Sequence, residues 1–371
     1  MTEIKIKDLR GVGDVELQLD DSKRVFVFFG SNGVGKTKTL ESLFIFLLAK
    51  TSNFIRFFQY IPQKRIAEKI EVEKEFLDFK GKGVLLTDDS IDYNQLFKQI
   101  NSQDIDAIAF LGASERSAIY RNDSNATLNH EQISVLIQHS INNQLLSNFN
   151  MKTDIHRWFT ERAKSVNPYQ KEKDNRKVDI DTVLNALNIL DNRIEKTLKI
   201  DGDGNVFLTI EGQERELSEL SSGFISVVKI IQSIISAYSA FTNATDLLNV
   251  KGVVLIDEIE SHLHIEWQTK IVPTLKNLFP NTTFYIATHS PLVLSQLAEG
   301  EAYLLKGDND NDNDNVVRSE KINSPNTRLL ANVMRDTFDV DLNQLKRDNI
   351  ANIDQTKVKQ KLLALMNEQE K

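Results

Sequence analysis

The eight-residue segment 30–37 constrains the fold more than any other part of this 371-residue chain. It reads GSNGVGKT and fits the pattern G-x-x-x-x-G-K-[ST]. The segment follows the continuously apolar run Val25–Phe29 and precedes a densely apolar helical pattern that starts near Leu40. A buried strand, a glycine loop and a helix in this order are typical of an α/β sheet that binds phosphate at a helix N-terminus.

The glycine loop, residues 30–37, provides the groups that a nucleoside triphosphate requires. Its backbone N–H groups can turn inward around the phosphates, because glycines permit the tight turn. Lys36 is expected to reach the β- and γ-phosphate oxygens, and the Thr37 hydroxyl is expected to bind Mg²⁺. The predicted phosphate-binding residues are Gly30, Ser31, Asn32, Gly33, Val34, Gly35, Lys36 and Thr37.

A second apolar strand, Gly252–Ile256, ends in the two acids Asp257 and Glu258. Ligands of open α/β sheets bind at the carboxyl ends of the strands, which is where these acids would lie. Asp257 suits the role of holding Mg²⁺, and Glu258 suits the role of polarising the water that attacks the γ-phosphate. We therefore predict that Asp257 is a metal ligand and that Glu258 is a catalytic residue.

Three histidines follow the acids. His289 comes directly after the apolar run at 284–287, and its imidazole could hydrogen-bond the γ-phosphate or orient the water, so we predict a catalytic role. His262 and His264 have the i, i+2 spacing that could place two metal ligands on one side of a loop. Since no third ligand is apparent, we prefer a turn that packs near the nucleotide.

A short signature, LSSG, opens the helical pattern at 224–235 with residues Ser221, Ser222 and Gly223. In the order glycine loop, LSSG, LIDE and THSP, the sequence resembles the ATPases of the ABC class. It most resembles the branch that includes RecF, SMC and OLD-type proteins and the AAA-family ATPases of anti-phage systems such as Septu and PARIS. The phrases FGSNGVGKT, ELSSG, LIDEIESHLH and ATHSPLVLSQL carry this resemblance.

The resemblance implies an α/β P-loop NTPase fold, an ABC-type ATPase head with an antiparallel β subdomain, a helical insertion and C-terminal helices. It also implies that ATP and Mg²⁺ are the cofactors and that ATP is hydrolysed. Two heads would pack head-to-tail, as a dimer or a higher even oligomer. Each ATP would then lie between the glycine loop of one copy and Ser221, Ser222 and Gly223 of the other, with the loop 260–264 crossing the interface.

Four regions follow from the patterns along the chain. Residues 1–50 form the N-terminal lobe of the ATPase core, with a predicted hairpin at 4–19. Residues 51–200 form an inserted mixed lobe, with a core strand near 105–111 and a helical pattern at 129–159. Residues 201–306 form the C-terminal lobe of the core, and residues 307–371 form a hairpin tip and helices at 327–338 and 357–369. A small hairpin is expected between 198 and 210.

Composition excludes several classes of protein. The chain has no cysteine, which excludes disulfides, thiolate zinc sites and cysteine nucleophiles. Its 45 basic and 53 acidic side chains give a net charge of −8, which argues against a surface coated uniformly for nucleic acid. We find no signal peptide pattern and no apolar run of about 18 residues. We therefore expect a cytoplasmic protein without a membrane partner.

Three functional hypotheses differ in their partners. The first is a sensor and scaffold ATPase of an anti-phage system. Its effector would be a separate protein, a nuclease, because no nuclease domain is expected in the 66 residues after Leu305. The second is a RecF- or SMC-like maintenance ATPase that binds duplex DNA through the basic stretch 157–177, where Trp158, Phe159 and Tyr169 are interleaved. For this stretch by itself, a solvated helical lobe is the preferred interpretation. The third, a transporter subunit, is disfavoured because Phe224 replaces the usual glutamine.

Overall fold

The computed structural model describes residues 2–9, 11–49, 51, 105–113, 154–169, 175–308 and 316–327, and single residues at 332, 335, 344 and 347. The chain divides into two compact units, Met1–Asn326 and Thr327–Lys371. Most of the predicted helical pattern at 129–159, the hairpin tip at 309–315 and almost all of both C-terminal helical patterns lie outside the described residues.

Eleven strands build the described part of the first unit. In chain order they are β1 (Thr2–Leu9), β2 (Gly13–Leu19), β3 (Val25–Phe29), β4 (Ala107–Leu111), β5 (Ile194–Ile200), β6 (Val206–Ile210), β7 (Gln213–Glu216), β8 (Gly252–Ile256), β9 (Thr283–Ala287), β10 (Ala302–Asp308) and β11 (Val316–Lys321). Eight of them form one sheet in the order β1-β2-β11-β10-β3-β9-β8-β4, and β5, β6 and β7 form a second, antiparallel sheet.

Seven helices accompany these strands in the described residues. They are α1 (Lys36–Ala49), α2 (Ile155–Lys164), α3 (Lys177–Leu190), α4 (Ser222–Phe241), α5 (Ile265–Gln268), α6 (Ile271–Leu278) and α7 (Pro291–Leu294). By length and composition, α4 is the one helix among the described residues that could cross a membrane, and most of it is buried inside the protein. It packs against β4, so its apolar character is explained by the core.

The large sheet is mixed, with hairpins at one side and parallel strands at the other. β1 pairs antiparallel with β2, and β10 pairs antiparallel with β11, whereas β10, β3, β9, β8 and β4 run parallel to one another. Every residue of β3, β4 and β8 is buried, as expected for strands that are covered on both faces. The predicted hairpin at 4–19 and the predicted strands at 25–29, 107–111, 252–256 and 284–287 are confirmed.

The strand order brings three loops to one edge of the sheet. β9 lies between β3 and β8, with Phe28 opposite Ala287 and Ile256 opposite Ile286. Because the three strands are parallel and in similar register, the segments that follow them leave the sheet side by side. These segments are the glycine loop, the acid turn (residues 257–261) and the His289 turn (residues 288–290).

Part of the basic stretch 157–177 makes contacts inside the protein. Arg162 and Arg176 each form an ion pair of 2.7 Å with Asp179, whose side chain is fully buried. Trp158 and Phe159 are also fully buried, so they cannot stack on bases, while Tyr169 is 97% exposed. Arg162 therefore joins α2 to α3, while Arg176 pairs with the same carboxylate from the start of α3. Sequence could not reveal this role, because it depends on which helices are adjacent.

We predict that Gly252→Ala destabilises the fold. A Cβ atom at Gly252 would overlap the hydroxyl of Tyr238, which is fully buried and hydrogen-bonded to Thr282 Oγ1 at 2.8 Å. Such overpacking costs about 1–3 kcal/mol of the free energy of unfolding. Urea unfolding would measure the loss. Gly202→Ala is the matched control, since nothing lies within 4 Å of its added Cβ. Equal stability of the two variants would contradict the prediction.

Candidate functional site

A direct hydrogen bond joins the glycine loop to the acid turn. The Thr37 hydroxyl donates to Asp257 Oδ2 at 2.9 Å, although the two residues are 220 positions apart in sequence. Asp257 is 3% exposed and follows β8 directly, while Thr37 lies in the first turn of α1. The structure therefore brings together the two residues that the sequence predicts as metal ligands.

Glycine is required at two positions of the glycine loop. Gly30 has φ +152° and lies so close to β10 that an added Cβ would be 2.8 Å from the carbonyl oxygen of Leu305. Gly35 has φ +97°, and its added Cβ would be 2.6 Å from Val12 Cγ1 in the turn between β1 and β2. Both positions combine a backbone conformation that favours glycine with a close approach. The loop is thus held between two neighbouring segments.

Lys36 lies inside the glycine loop. Its Nζ donates to the carbonyl oxygens of Gly30 at 3.0 Å and Ser31 at 2.9 Å, and the residue is 6% exposed. Burial lowers the pKa of Lys36 to about 8, against the opposing effect of nearby carboxylates, of which Asp257 is the strongest. A desolvated ammonium group gains from an anionic partner. The environment of this lysine is therefore suited to a bound polyphosphate.

The acid turn holds Glu258 in an uncommon conformation. Glu258 has φ +46°, a left-handed value that costs a residue with a side chain about 1 kcal/mol or more. The Ser261 hydroxyl donates to Glu258 Oε2 at 2.9 Å, and the Ser261 N–H donates to the Glu258 carbonyl at 2.8 Å. Ser261 therefore orients this carboxylate. The sequence analysis did not identify Ser261, because a serine in a turn carries no distinctive signal.

The His289 turn is bound to the acid turn through Glu260. The Glu260 carboxylate accepts from the backbone N–H of His289 at 2.6 Å and from the Thr288 hydroxyl at 2.5 Å. Burial lowers the pKa of His289 below its ordinary value of 6.5, and the charge of Lys36 acts in the same direction. Both effects favour the neutral form of the imidazole. The one sequence signal for Glu260 is that it is the third acid of LIDEIES.

The signature residues lie at the start of α4, against the loop after the acid turn. The Ser221 hydroxyl caps the helix by accepting from the Phe224 N–H at 3.3 Å, and both Ser221 and Ser222 are exposed. Gly223 is buried, and its added Cβ would lie 3.2 Å from the backbone nitrogen of His264. The contacts described for this helix start are with residues 262–264, not with the glycine loop.

A magnesium ion fits the oxygen atoms of this site better than a zinc ion would. In the described part of the chain, no group of three or more His, Asp or Glu side chains is placed to hold a metal. His262 and His264 lie in a turn, as expected, and this turn packs against α4; that it lies near the nucleotide stays a prediction. Mg²⁺ is commonly held by one or two protein oxygens together with phosphates and water. Thr37 and Asp257 provide such a pair.

The sequence of this site matches a known family. A family model described as "AAA domain, putative AbiEii toxin, Type IV TA system" matches residues 25–295, which include the glycine loop, the signature, the acid turn and His289.

The chain belongs to this AAA domain family.

Relatives of this AAA-domain protein include a Septu protein and a retron ATPase. It is 25% identical over 322 residues to the "Septu protein PtuA" of Bacillus mycoides, covering 82% of this chain and 40% of the relative. It is 37% identical over 95 residues to the "Retron Vc95 probable ATPase" of Vibrio cholerae, covering 25% and 18% of the two chains. The chain thus spans less than half the length of either relative.

A solved structure with a similar fold is an SMC head bound to the C-terminal winged-helix domain of ScpA. It has a TM-score of 0.44 and 10% identity, and the similarity covers 88% of this chain and 99% of that one. The expected α/β fold, with a mixed sheet and the glycine loop between a buried strand and a helix, is confirmed. The protein is therefore an AAA-domain family member that is similar to a Septu protein and a retron protein.

We predict that Gly35→Ala weakens binding of MgATP at least about tenfold, because the new methyl group would strain the backbone and overlap Val12. Val12→Ala alone should have little effect. The double variant should recover part of the lost affinity, since it removes the overlap but leaves the strain at φ +97°. Isothermal titration calorimetry would measure all three. Wild-type affinity of Gly35→Ala would show that this position tolerates a side chain.

Proposed function

We propose that this AAA-domain protein binds and hydrolyses ATP with Mg²⁺, and that ATP-driven head-to-tail dimerisation regulates a partner effector, a nuclease, in bacterial anti-phage defence. We also propose that it acts in the cytoplasm. The single observation that carries the enzymatic part is the hydrogen bond between Thr37 and Asp257. It joins the loop suited to phosphates with the acids suited to metal and water.

The glycine loop would bind the phosphates. Lys36 would exchange the carbonyl oxygens of Gly30 and Ser31 for β- and γ-phosphate oxygens, while the loop N–H groups and the N-terminus of α1 bind the remaining oxygens. Thr37 and Asp257 would hold Mg²⁺, which neutralises developing charge on the phosphates when it is bound.

Glu258 and His289 would act on the attacking water. Glu258 lies immediately after the proposed metal ligand, and its carboxylate can accept a proton from water. The neutral imidazole of His289 can hydrogen-bond the γ-phosphate or the water, and β9 carries it between the glycine loop and the acid turn. Both groups follow parallel strands at the same sheet edge, so they can reach one reacting centre.

Dimerisation would complete the site from a second copy. Ser221 and Ser222 are exposed at the N-terminus of α4, a 20-residue helix whose dipole favours anions at that end. If this end faced the γ-phosphate of the other copy, it would supply hydrogen-bond donors that exist only in the assembly. Such an arrangement would make assembly depend on ATP.

The defence role rests on the relatives, and the effector is a separate proposal. A Septu protein and a retron ATPase match this chain, over part of their lengths. We propose that a nuclease encoded with this protein performs the destructive step, regulated by the assembled heads. The alternative, direct binding of duplex DNA as in RecF-like maintenance proteins, is weakened because Arg162 and Arg176 are engaged by Asp179.

We predict that Glu258→Gln binds ATP but hydrolyses it about 10²- to 10⁴-fold more slowly, because the amide cannot accept a proton from water. The variant should accumulate as a dimer in ATP. Steady-state phosphate release and size-exclusion chromatography with light scattering would measure both effects. Glu214→Gln, an exposed glutamate of the small sheet, is the matched control. Wild-type turnover and an unchanged mass would contradict the assignment.

We predict that Lys36→Ala abolishes protection in cells. With its neighbouring genes present, the wild-type gene should lower the plating efficiency of some phages, and the variant should restore plating because it cannot bind the triphosphate. Lys196→Ala, an exposed lysine of β5, is the matched control. A variant that restricts the same phages as the wild type, or a wild-type locus that restricts none of a broad panel, would count against the defence role.

A further inference from the structure

We propose that Glu260 is a positioning residue for His289, and that it makes the His289 turn move together with the loop that packs against the signature helix. The proposal rests on the proposed hydrolysis of ATP and adds a residue to which that proposal gives no role. Its basis is the geometry of one carboxylate that bridges two of the three segments at the sheet edge.

The Glu260 carboxylate uses both oxygens on the His289 turn. Oε1 accepts from the His289 N–H at 2.6 Å, and Oε2 accepts from the Thr288 hydroxyl at 2.5 Å. The same hydroxyl oxygen then accepts from the Ser290 N–H at 3.0 Å. The Glu260 side chain therefore binds residues 288 and 289 directly, and it binds residue 290 through the Thr288 hydroxyl. Charge-assisted hydrogen bonds of this length are stronger than those between neutral groups.

The hydrogen-bond ladder of β9 ends at residue 288, so the backbone of the His289 turn depends on Glu260 for a partner. The Thr288 N–H donates to the carbonyl of Phe28 at 3.1 Å, and this bond continues the ladder between β9 and β3. The Ile259 N–H donates to the carbonyl of Ala287 at 3.2 Å, which anchors the acid turn to the end of β9. After residue 288 the ladder ends, so the carboxylate supplies the next partner for the backbone.

A second side chain joins the same two segments farther along. Gln268, at the end of α5, accepts from the Ser290 hydroxyl at 2.8 Å through Oε1 and donates to the Leu263 carbonyl at 2.9 Å through Nε2. The Gln296 amide also donates to the carbonyl of Gln268. The stretch 260–268 is thus bound to the stretch 288–296 at both of its ends.

The connection between the stretches 260–268 and 288–296 links the signature helix α4 to His289, the proposed γ-phosphate contact. Residues 262–264 pack directly on the start of α4, where His264 lies against Gly223 and the His262 carbonyl accepts from Ser226 Oγ at 3.4 Å. A shift of that loop on assembly would be carried through Glu260 to the backbone of His289. The chain of contacts is contiguous, so it is a physical path for coupling.

Hydrogen exchange of the nucleotide-free protein tests the contact without any catalysis. The amide of His289, followed by mass spectrometry in peptides that span 284–292, should exchange at least about tenfold faster in Glu260→Ala, because its acceptor is lost. Glu260→Gln keeps an acceptor for this amide and should retain most of the protection. Glu266→Ala, an exposed glutamate of the neighbouring α5, should change nothing. Unchanged exchange in Glu260→Ala would overturn the proposal.

Kinetics test whether Glu260 acts through His289. Glu260→Ala should lower kcat about 10- to 100-fold while the Kd for MgATP stays within about threefold, since misplacement of a reacting group reduces turnover more than binding. Glu260→Gln should restore kcat to within about threefold of wild type. In a His289→Ala background, Glu260→Ala should cause no further loss, because both changes remove the same contribution.

Two outcomes of the kinetic test overturn the positioning role. One is an unchanged kcat in Glu260→Ala, and the other is a loss that adds fully to that of His289→Ala. A wild-type protein that does not hydrolyse ATP would instead overturn the proposed function, and the exchange experiment would then decide the role of Glu260 by itself. Thermal unfolding of each variant separates loss of stability from loss of positioning.

Discussion

The hydrogen bond between Thr37 and Asp257 is the contact on which the rest of the site depends. It requires that the start of α1 and the end of β8 meet, and the sheet order achieves this by placing β9 between β3 and β8. All three strands are almost completely buried, so the position of each loop is set by a packed core. The polar groups at the edge can therefore be held in place without help from a ligand.

Glycine, strain and burial are concentrated at the same edge. Gly30 and Gly35 have backbone conformations that favour glycine, Glu258 is left-handed despite its side chain, and Lys36 is desolvated. Each feature costs stability in the free protein. Features of this kind persist where the surrounding structure determines them strongly, and they cluster where ligands bind. At this edge they lie on the glycine loop and the acid turn, the segments that would bind the phosphates, the metal and the water.

The sequence predicted the elements well and the side-chain partnerships less well. The strand at 25–29, the glycine loop and the acids after β8 are local patterns, and local patterns determine local structure. The role of Glu260 depends on β9 lying beside β8, and the pairing of Arg162 with Asp179 depends on α2 packing on α3. These contacts join residues that are distant in sequence, so periodicity and spacing could not reveal them.

The pairing of β3 has a consequence for the synthesis of the protein on the ribosome. Both neighbours of β3 in the sheet, β9 and β10, begin more than 250 residues later in the chain. One neighbour of β2, the strand β11, is likewise translated late. A nascent chain that ends before residue 283 therefore carries the apolar strand VFVFF with two open edges. Such edges favour aggregation until they are covered. The phosphate-binding segment is translated early, but the strands that pair with β3 are translated late. Chaperones would therefore need to protect the N-terminal end of this chain for longer than the rest.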